Sequence, residues 1–151
     1  MSLFNGFNIS ASGLTSNRMR MDVVSSNIAN ANTTRAQLVN GEWIPYRRKL
    51  VELSQSGVSP FQQQLQSAMN NGSTNVSGVT VSKIKDDTTP FTLSYDPYNP
   101  DSDEDGYVRL PNVDPIKEMV DLMSATRSYE ANVTALNASK SMFMKALEIG
   151  K

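Results

Sequence analysis

Both ends of this chain place an apolar residue at every seventh position, and that spacing limits the fold more than any other feature. Phe7, Leu14, Met21 and Ile28 form one series, and Leu122, Tyr129, Leu136 and Phe143 form the other. A seven-residue repeat keeps one stripe of an α-helix turned toward a partner. The first series predicts a helix over roughly 5–31, ~40 Å long, and the second one over 115–149, ~52 Å long. Asp114-Pro115 supplies a cap and a first-turn proline, Glu118 adds an acid to the same turn, and Gly150 supplies a stop. The chain must turn back between the two, so an antiparallel pair within one subunit is the simplest arrangement.

The surface of these helices is unusual for a solvated coiled coil, which normally carries Glu and Lys at its flanks. Residues 1–32 hold three charges, Arg18, Arg20 and Asp22, against six Asn and six Ser. Between Ser124 and Ser141 only Arg127, Glu130 and Lys140 are charged, and twelve of the eighteen residues are Ser, Thr, Asn or Ala. Small neutral faces suit close burial against other protein chains. The alternative is a plain helical hairpin with a neutral surface. Ser and Asn are also weak helix formers, so the helices are expected to be weak alone and firm once packed.

The middle, 33–111, reads as strand and loop. A strand is expected within Trp43 to Leu53, a second at Val79-Thr80-Val81 reaching toward Ile84, a third through Phe91, Leu93 and Tyr95, and a short fourth over Tyr107 to Leu110. The stretch 54–75, with four Gln between 62 and 66, reads as a flexible insertion. The expected class is therefore α+β: terminal heptad helices (1–32 and 112–151) paired as an antiparallel coiled coil, with a small β-rich middle domain (33–111).

Composition removes several functions. There is no histidine and no cysteine among the 151 residues, so the usual general base, thiolate chemistry and most transition-metal sites are absent. A net charge of -1 argues against a generic polyanion binder. The N-terminus has no basic and apolar stretch of the kind a secretory signal needs. The loop Asp101–Asn112, DSDEDGYVRLPN, begins like a calcium-binding EF-hand. Asn112 stands where a bidentate Glu is needed, however, and Pro97, Pro100 and Pro111 oppose flanking helices. A surface turn is the better reading. Arg47-Arg48-Lys49 reads as a solvated or salt-bridged face rather than a nucleic-acid contact. No catalytic residue, cofactor or metal site is expected.

Ser26-Asn27-Ile28-Ala29-Asn30-Ala31-Asn32-Thr33-Thr34 resembles the N-terminal signature of bacterial flagellar rod and hook proteins. Glu118-Met119-Val120, with Arg127-Ser128-Tyr129-Glu130-Ala131-Asn132, resembles their C-terminal signature. Pro45-Tyr46-Arg47-Arg48, Tyr95-Asp96-Pro97 and Asp105-Gly106-Tyr107-Val108 narrow the likeness to a rod member. The resemblance implies a structural subunit of the proximal rod, a tubular drive shaft that transmits motor torque across the periplasm. It implies export by the flagellar type III apparatus without a cleaved signal. Implied partners are copies of itself and other rod proteins, FlgB and FlgF among them. Asn27, Asn30, Asn32 and Thr33 would turn the chain outward, and Arg127, Tyr129, Glu130 and Asn132 would make polar contacts in the assembly. The alternatives are another type III-exported axial filament or translocon protein, and a calcium-binding module.

Overall fold

The computed structural model describes residues 3–56, 64, 65, 68 and 77–149. The order is α1 (Leu3–Ala29), β1 (Gln37–Val39), β2 (Glu42–Ile44), β3 (Lys49–Gln55), β4 (Val79–Asp86), β5 (Thr92–Tyr95), β6 (Tyr107–Leu110) and α2 (Pro115–Ile149). The α+β class expected from the sequence holds. Most of the Gln-rich stretch, and the expected stop at Gly150, lie outside the described residues.

Asp114 starts α2 as its composition predicts. Its Oδ1 accepts hydrogen bonds from the N–H groups of Ile116 (3.0 Å) and Lys117 (3.4 Å), donors that the first helical turn leaves without partners. At the other boundary α1 ends at Ala29, two residues earlier than expected. There the bonding tightens: Ala31 N–H donates to the Ile28 carbonyl and Thr33 N–H to the Asn30 carbonyl. The Asn30 side chain donates to the Ser26 carbonyl at 2.9 Å, meeting one of the carbonyls that a helix end frees.

Among the described residues the strands form three two-stranded sheets, β1-β2, β3-β4 and β5-β6. The strand expected within 43–53 is β3, and a further strand, β2, reaches into the same stretch as far as Ile44. Pro45 separates them because it has no N–H to give a ladder. Beyond it, Tyr46 N–H turns to the Thr33 carbonyl (3.0 Å) and Arg48 N–H to Asn112 Oδ1 (2.8 Å). β1, which pairs with β2 in a hairpin, lies outside the strands expected above. The two-residue loop of the hairpin, Asn40-Gly41, has φ of 54° and 88° and joins Val39 to Glu42. Two successive positive φ values define the tight hairpin turn that Asn-Gly favours. In the β5-β6 hairpin Tyr95 pairs with Tyr107, and their rings meet edge-on at 5.3 Å.

The chain divides into two compact units. One comprises Met1–Met19, Glu52–Lys83 and Ala125–Lys151, and the other Arg20–Val51 and Ile84–Ser124. In the second unit Val23, Val24 and Val108 are buried apolar residues. In the first, the buried set is Ala125 with the polar Ser10 and Ser16. Ser12 and Ser16, one helical turn apart, act there as a partner for a strand. Ser12 Oγ accepts from Val79 N–H at 3.1 Å, and Ser16 Oγ donates to the Val79 carbonyl at 3.2 Å. Gly78 allows this approach, because a Cβ there would lie 2.2 Å from Ser12 Oγ.

Candidate assembly surface and its polar anchor

Asn27 and Glu118 are each 1% exposed, which makes them the most deeply buried polar residues described. The Asn27 amide uses its full hydrogen-bonding capacity. Nδ2 donates to the Lys49 carbonyl and to Glu118 Oε2, both at 2.9 Å. Oδ1 accepts from Lys49 N–H (2.9 Å) and from the Tyr46 hydroxyl (3.0 Å). A helix side chain thus pairs with both backbone groups of the first β3 residue, as a neighbouring strand would.

Glu118 is a buried carboxylate, which is costly unless paired and hydrogen-bonded. Arg48 supplies the pairing: its Nε donates to Glu118 Oε1 at 2.6 Å. Arg48 also lies 3.6 Å from carboxylate oxygens of Asp87 and Asp121, and Arg20 reaches Asp121 at 3.4 Å. Burial works against the Arg48 charge, but the Glu118 hydrogen bond and the Glu118 and Asp87 charges hold its pKa above the ordinary arginine value. The Thr89 backbone N–H, helped by Arg48, holds the Asp87 carboxyl below the usual carboxylate range. Asn112 completes the cluster. It accepts from Arg48 N–H and donates to Thr89 Oγ1 (2.8 Å) and the Thr89 carbonyl (3.1 Å). The buried carboxylate is committed to an arginine and an amide, so the arrangement fixes positions and offers no free acid or base for catalysis.

Of the residues singled out in the sequence, Asn27 sits at the centre of this anchor. Asn30 and Thr33 belong to the turn after α1, where Thr33 donates to Asn30 Oδ1 at 3.3 Å and its carbonyl receives Tyr46 N–H. Asn32, Arg127 and Glu130 are exposed, and Tyr129 and Asn132 are half-buried. Asn132 donates back to the Ser128 carbonyl at 2.8 Å and packs against Gly13, where an added Cβ would sit 3.0 Å from Asn132 Oδ1. The heptad residues Phe7, Leu14, Met21, Ile28, Leu122, Tyr129, Leu136 and Phe143 are all half-buried. Sequence reasoning missed Tyr46, Arg48, Asn112 and Glu118 as one group. The available signal was spacing: Glu118, Ala125 and Asn132 lie seven apart on α2, opposite Ile116, Met119, Val120 and Met123.

Those four residues form an exposed stripe. Ile116 is 75% exposed, Met119 and Val120 56%, and Met123 53%, at the spacing of one helix face. The acidic loop has a different character. Asp101 is held by Arg35, through both Nε and Nη2, and by Thr34 Oγ1 at 2.9 Å. The Arg35 hydrogen bond, with further help from Thr34, holds the Asp101 carboxyl below its ordinary range. Asp103 faces Arg109 at 3.7 Å, and Arg109 also reaches Glu42 at 3.1 Å. Among the described residues no group of three His, Cys, Asp or Glu is placed to hold a metal ion. Arg47 stacks over the Phe91 ring at 4.6 Å, so two of the three residues of the basic cluster have intramolecular partners. No helix among the described residues is long and apolar enough to cross a membrane.

Comparison with known proteins places the sequence among flagellar rod proteins. Residues 7–37 match the family described as flagella basal body rod protein, and residues 104–149 match the flagellar basal body rod FlgEFG protein C-terminal family. Over 151 residues, and the full length of both chains, this chain is 61% identical to the flagellar basal-body rod protein FlgC of Bacillus subtilis. It is 43% identical to that of Borreliella burgdorferi, over 99% of this chain and 98% of the relative. It is 40% identical to that of Escherichia coli O157:H7 over the whole of both.

Proposed function

This chain belongs to the family of the flagellar basal-body rod protein FlgC, and from that premise we propose that it builds the proximal part of the rod, a tubular drive shaft carrying motor torque across the periplasm. It is a structural subunit of the flagellar basal body. The observation that carries the reading is the full-length likeness at 61% identity. The physical support is a helix pair with an anchored end and an apolar outer stripe that one subunit leaves uncovered.

In this reading α1 and α2 pair antiparallel as a coiled coil. Three contacts support the direction: Gly13 with Asn132, Arg20 with Asp121, and Asn27 with Glu118, rising along one helix while falling along the other. The terminal helices serve as the packing domain, and the β-rich middle faces outward. Asn30, Asn32 and Thr33 shape the outward turn, and Arg127 and Glu130 meet neighbouring subunits. Those neighbours are further copies and the rod proteins FlgB and FlgF. Export proceeds through the flagellar type III apparatus without a cleaved signal. Helices rich in Ser and Asn pass as loose chain and gain their stability from packing afterwards. Heterologous contacts that do not close then generate a helical tube.

The test is deletion of the gene, complementation, and imaging of purified basal bodies. The deletion is expected to stop rod growth and swimming, and the wild-type chain to restore both. Complete rods in the deletion strain would overturn the reading. An Asn30→Leu, Asn32→Leu chain is expected to be exported but not to restore swimming.

A further inference from the structure

The β5-β6 hairpin carries an exposed apolar and aromatic surface with no role in the anchor. Leu93 is 61% exposed, Tyr95 67%, Tyr107 43% and Tyr98, in the connecting loop, 97%. Five carboxylates lie along that loop, Asp96, Asp101, Asp103, Glu104 and Asp105, and two of them, Asp101 and Asp103, are turned to Arg35 and Arg109. Glu104 and Asp105 are exposed and have no ion-pair partner among the described residues. The hairpin therefore presents tyrosines beside unneutralised negative charge. Tyrosine is enriched at the energetic centres of interfaces, where its ring buries much area at little entropic cost.

The α2 stripe is its counterpart. Ile116, Met119, Val120 and Met123 offer an apolar helix face. The acids of the same turns, Glu118 and Asp121, point away toward Arg48 and Arg20. Lys117 remains at the edge of the face, 78% exposed, with Asp114 as its one ion-pair partner among the described residues, at 3.9 Å. One patch is thus apolar with negative charge that has no ion-pair partner among the described residues, and the other is apolar beside an exposed lysine held by one long, solvent-exposed contact to Asp114. Both are uncovered in the same chain, so neither covers the other within a subunit.

We propose that the β5-β6 hairpin of one copy seats on the α2 stripe of a second copy, Tyr98 against Met119 and Val120, with Glu104 and Asp105 facing Lys117. The contact is heterologous, so each copy keeps one free patch of each kind, as an open-ended helical array requires. The proposal rests on the rod reading and names the contact between copies within it.

The test places p-benzoylphenylalanine at position 98 and irradiates purified basal bodies. The expected product is an adduct of two copies of this chain, with the cross-link in the peptide holding Ile116–Met123. An adduct with a protein of another mass, or no adduct in rods that contain the chain, overturns the proposal and leaves the rod reading standing. Basal bodies lacking the chain altogether would sink the rod reading itself. Charge reversal supplies a second measurement. Glu104→Lys with Asp105→Lys is expected to lower the yield of complete rods about tenfold, because like charges then meet across the contact. Adding Lys117→Glu is expected to restore much of it. Full yield from the first variant would overturn the pairing.

Discussion

The Asn27 amide donates to the Glu118 carboxylate at 2.9 Å, and each side chain is 1% exposed, although 91 residues separate them. The charge on Glu118 is matched by Arg48 at 2.6 Å, so the three residues stand or fall together.

Replacing Glu118→Ala should therefore destabilise the purified chain by about 3 kcal/mol, because it leaves a partly buried guanidinium short of its main partner. Asp87 and Asp121 stay 3.6 Å away and soften the loss. Trp43, the only tryptophan, lies in the same compact unit and reports the unfolding in urea. Adding Arg48→Met should recover much of the stability, whereas additive losses would show that the two side chains do not interact.

Asn27→Asp tests the same contact by charge. It removes two donors and sets a second carboxylate beside Glu118. Like charges at that distance raise a carboxyl pKa in the folded state above its unfolded value. Stability lost by this variant at neutral pH should return as pH falls, the reverse of ordinary acid denaturation. Parallel urea titrations of variant and wild type at neutral and acid pH would reveal it.

Wild type should respond to acid in the opposite sense. The carboxyls of Asp87 and Asp101 are held below their ordinary range by Thr89 N–H and Arg35 respectively. Near the ordinary carboxylate pKa the unfolded chain binds more protons than the folded one. The stabilisation is present above the unfolded pKa and is lost as pH falls through the folded pKa. Carboxyl NMR of Arg35→Ala should show Asp101 titrating at higher pH than in wild type, with Asp87 unmoved.

Gly78→Ala should cost about 1–3 kcal/mol through overpacking, because the new Cβ meets Ser12 Oγ at 2.2 Å. Hydrogen exchange at the Val79 amide, which donates to Ser12, should accelerate. Ser12→Ala in the same chain removes that oxygen and should return part of the melting temperature. A melting temperature unchanged by Gly78→Ala would show that the helix and strand yield without cost.

Local chemistry made part of this fold legible. Asp114-Pro115 marks the start of α2, and the Tyr107–Leu110 strand follows its own alternation. The alternation from Lys49 to Leu53 likewise marks β3, whereas the Asn40-Gly41 hairpin, though equally local, was not among the expected strands. The anchor was hidden for a different reason. A search for apolar periodicity selects Phe7, Leu14, Met21 and Ile28, which prove half-buried. Three of the most buried positions of α1 are the polar Ser10, Ser16 and Asn27. Ser16 and Asn27 bond to strand backbone far along the chain, and no window of local sequence contains that strand.

The anchor also has a mechanical meaning. Much of the surface of both helices is Ser, Ala and Asn, side chains too alike in size to resist sliding of one helix along the other. A slip of one residue would set Lys117 or Met119 where Glu118 belongs, leaving Arg48 without its carboxylate and an Asn27 donor without an acceptor. The Asn27–Glu118–Arg48 cluster, with the Arg20–Asp121 pair one turn along, is a detent: a click-stop that favours one alignment of the two helices over its neighbours.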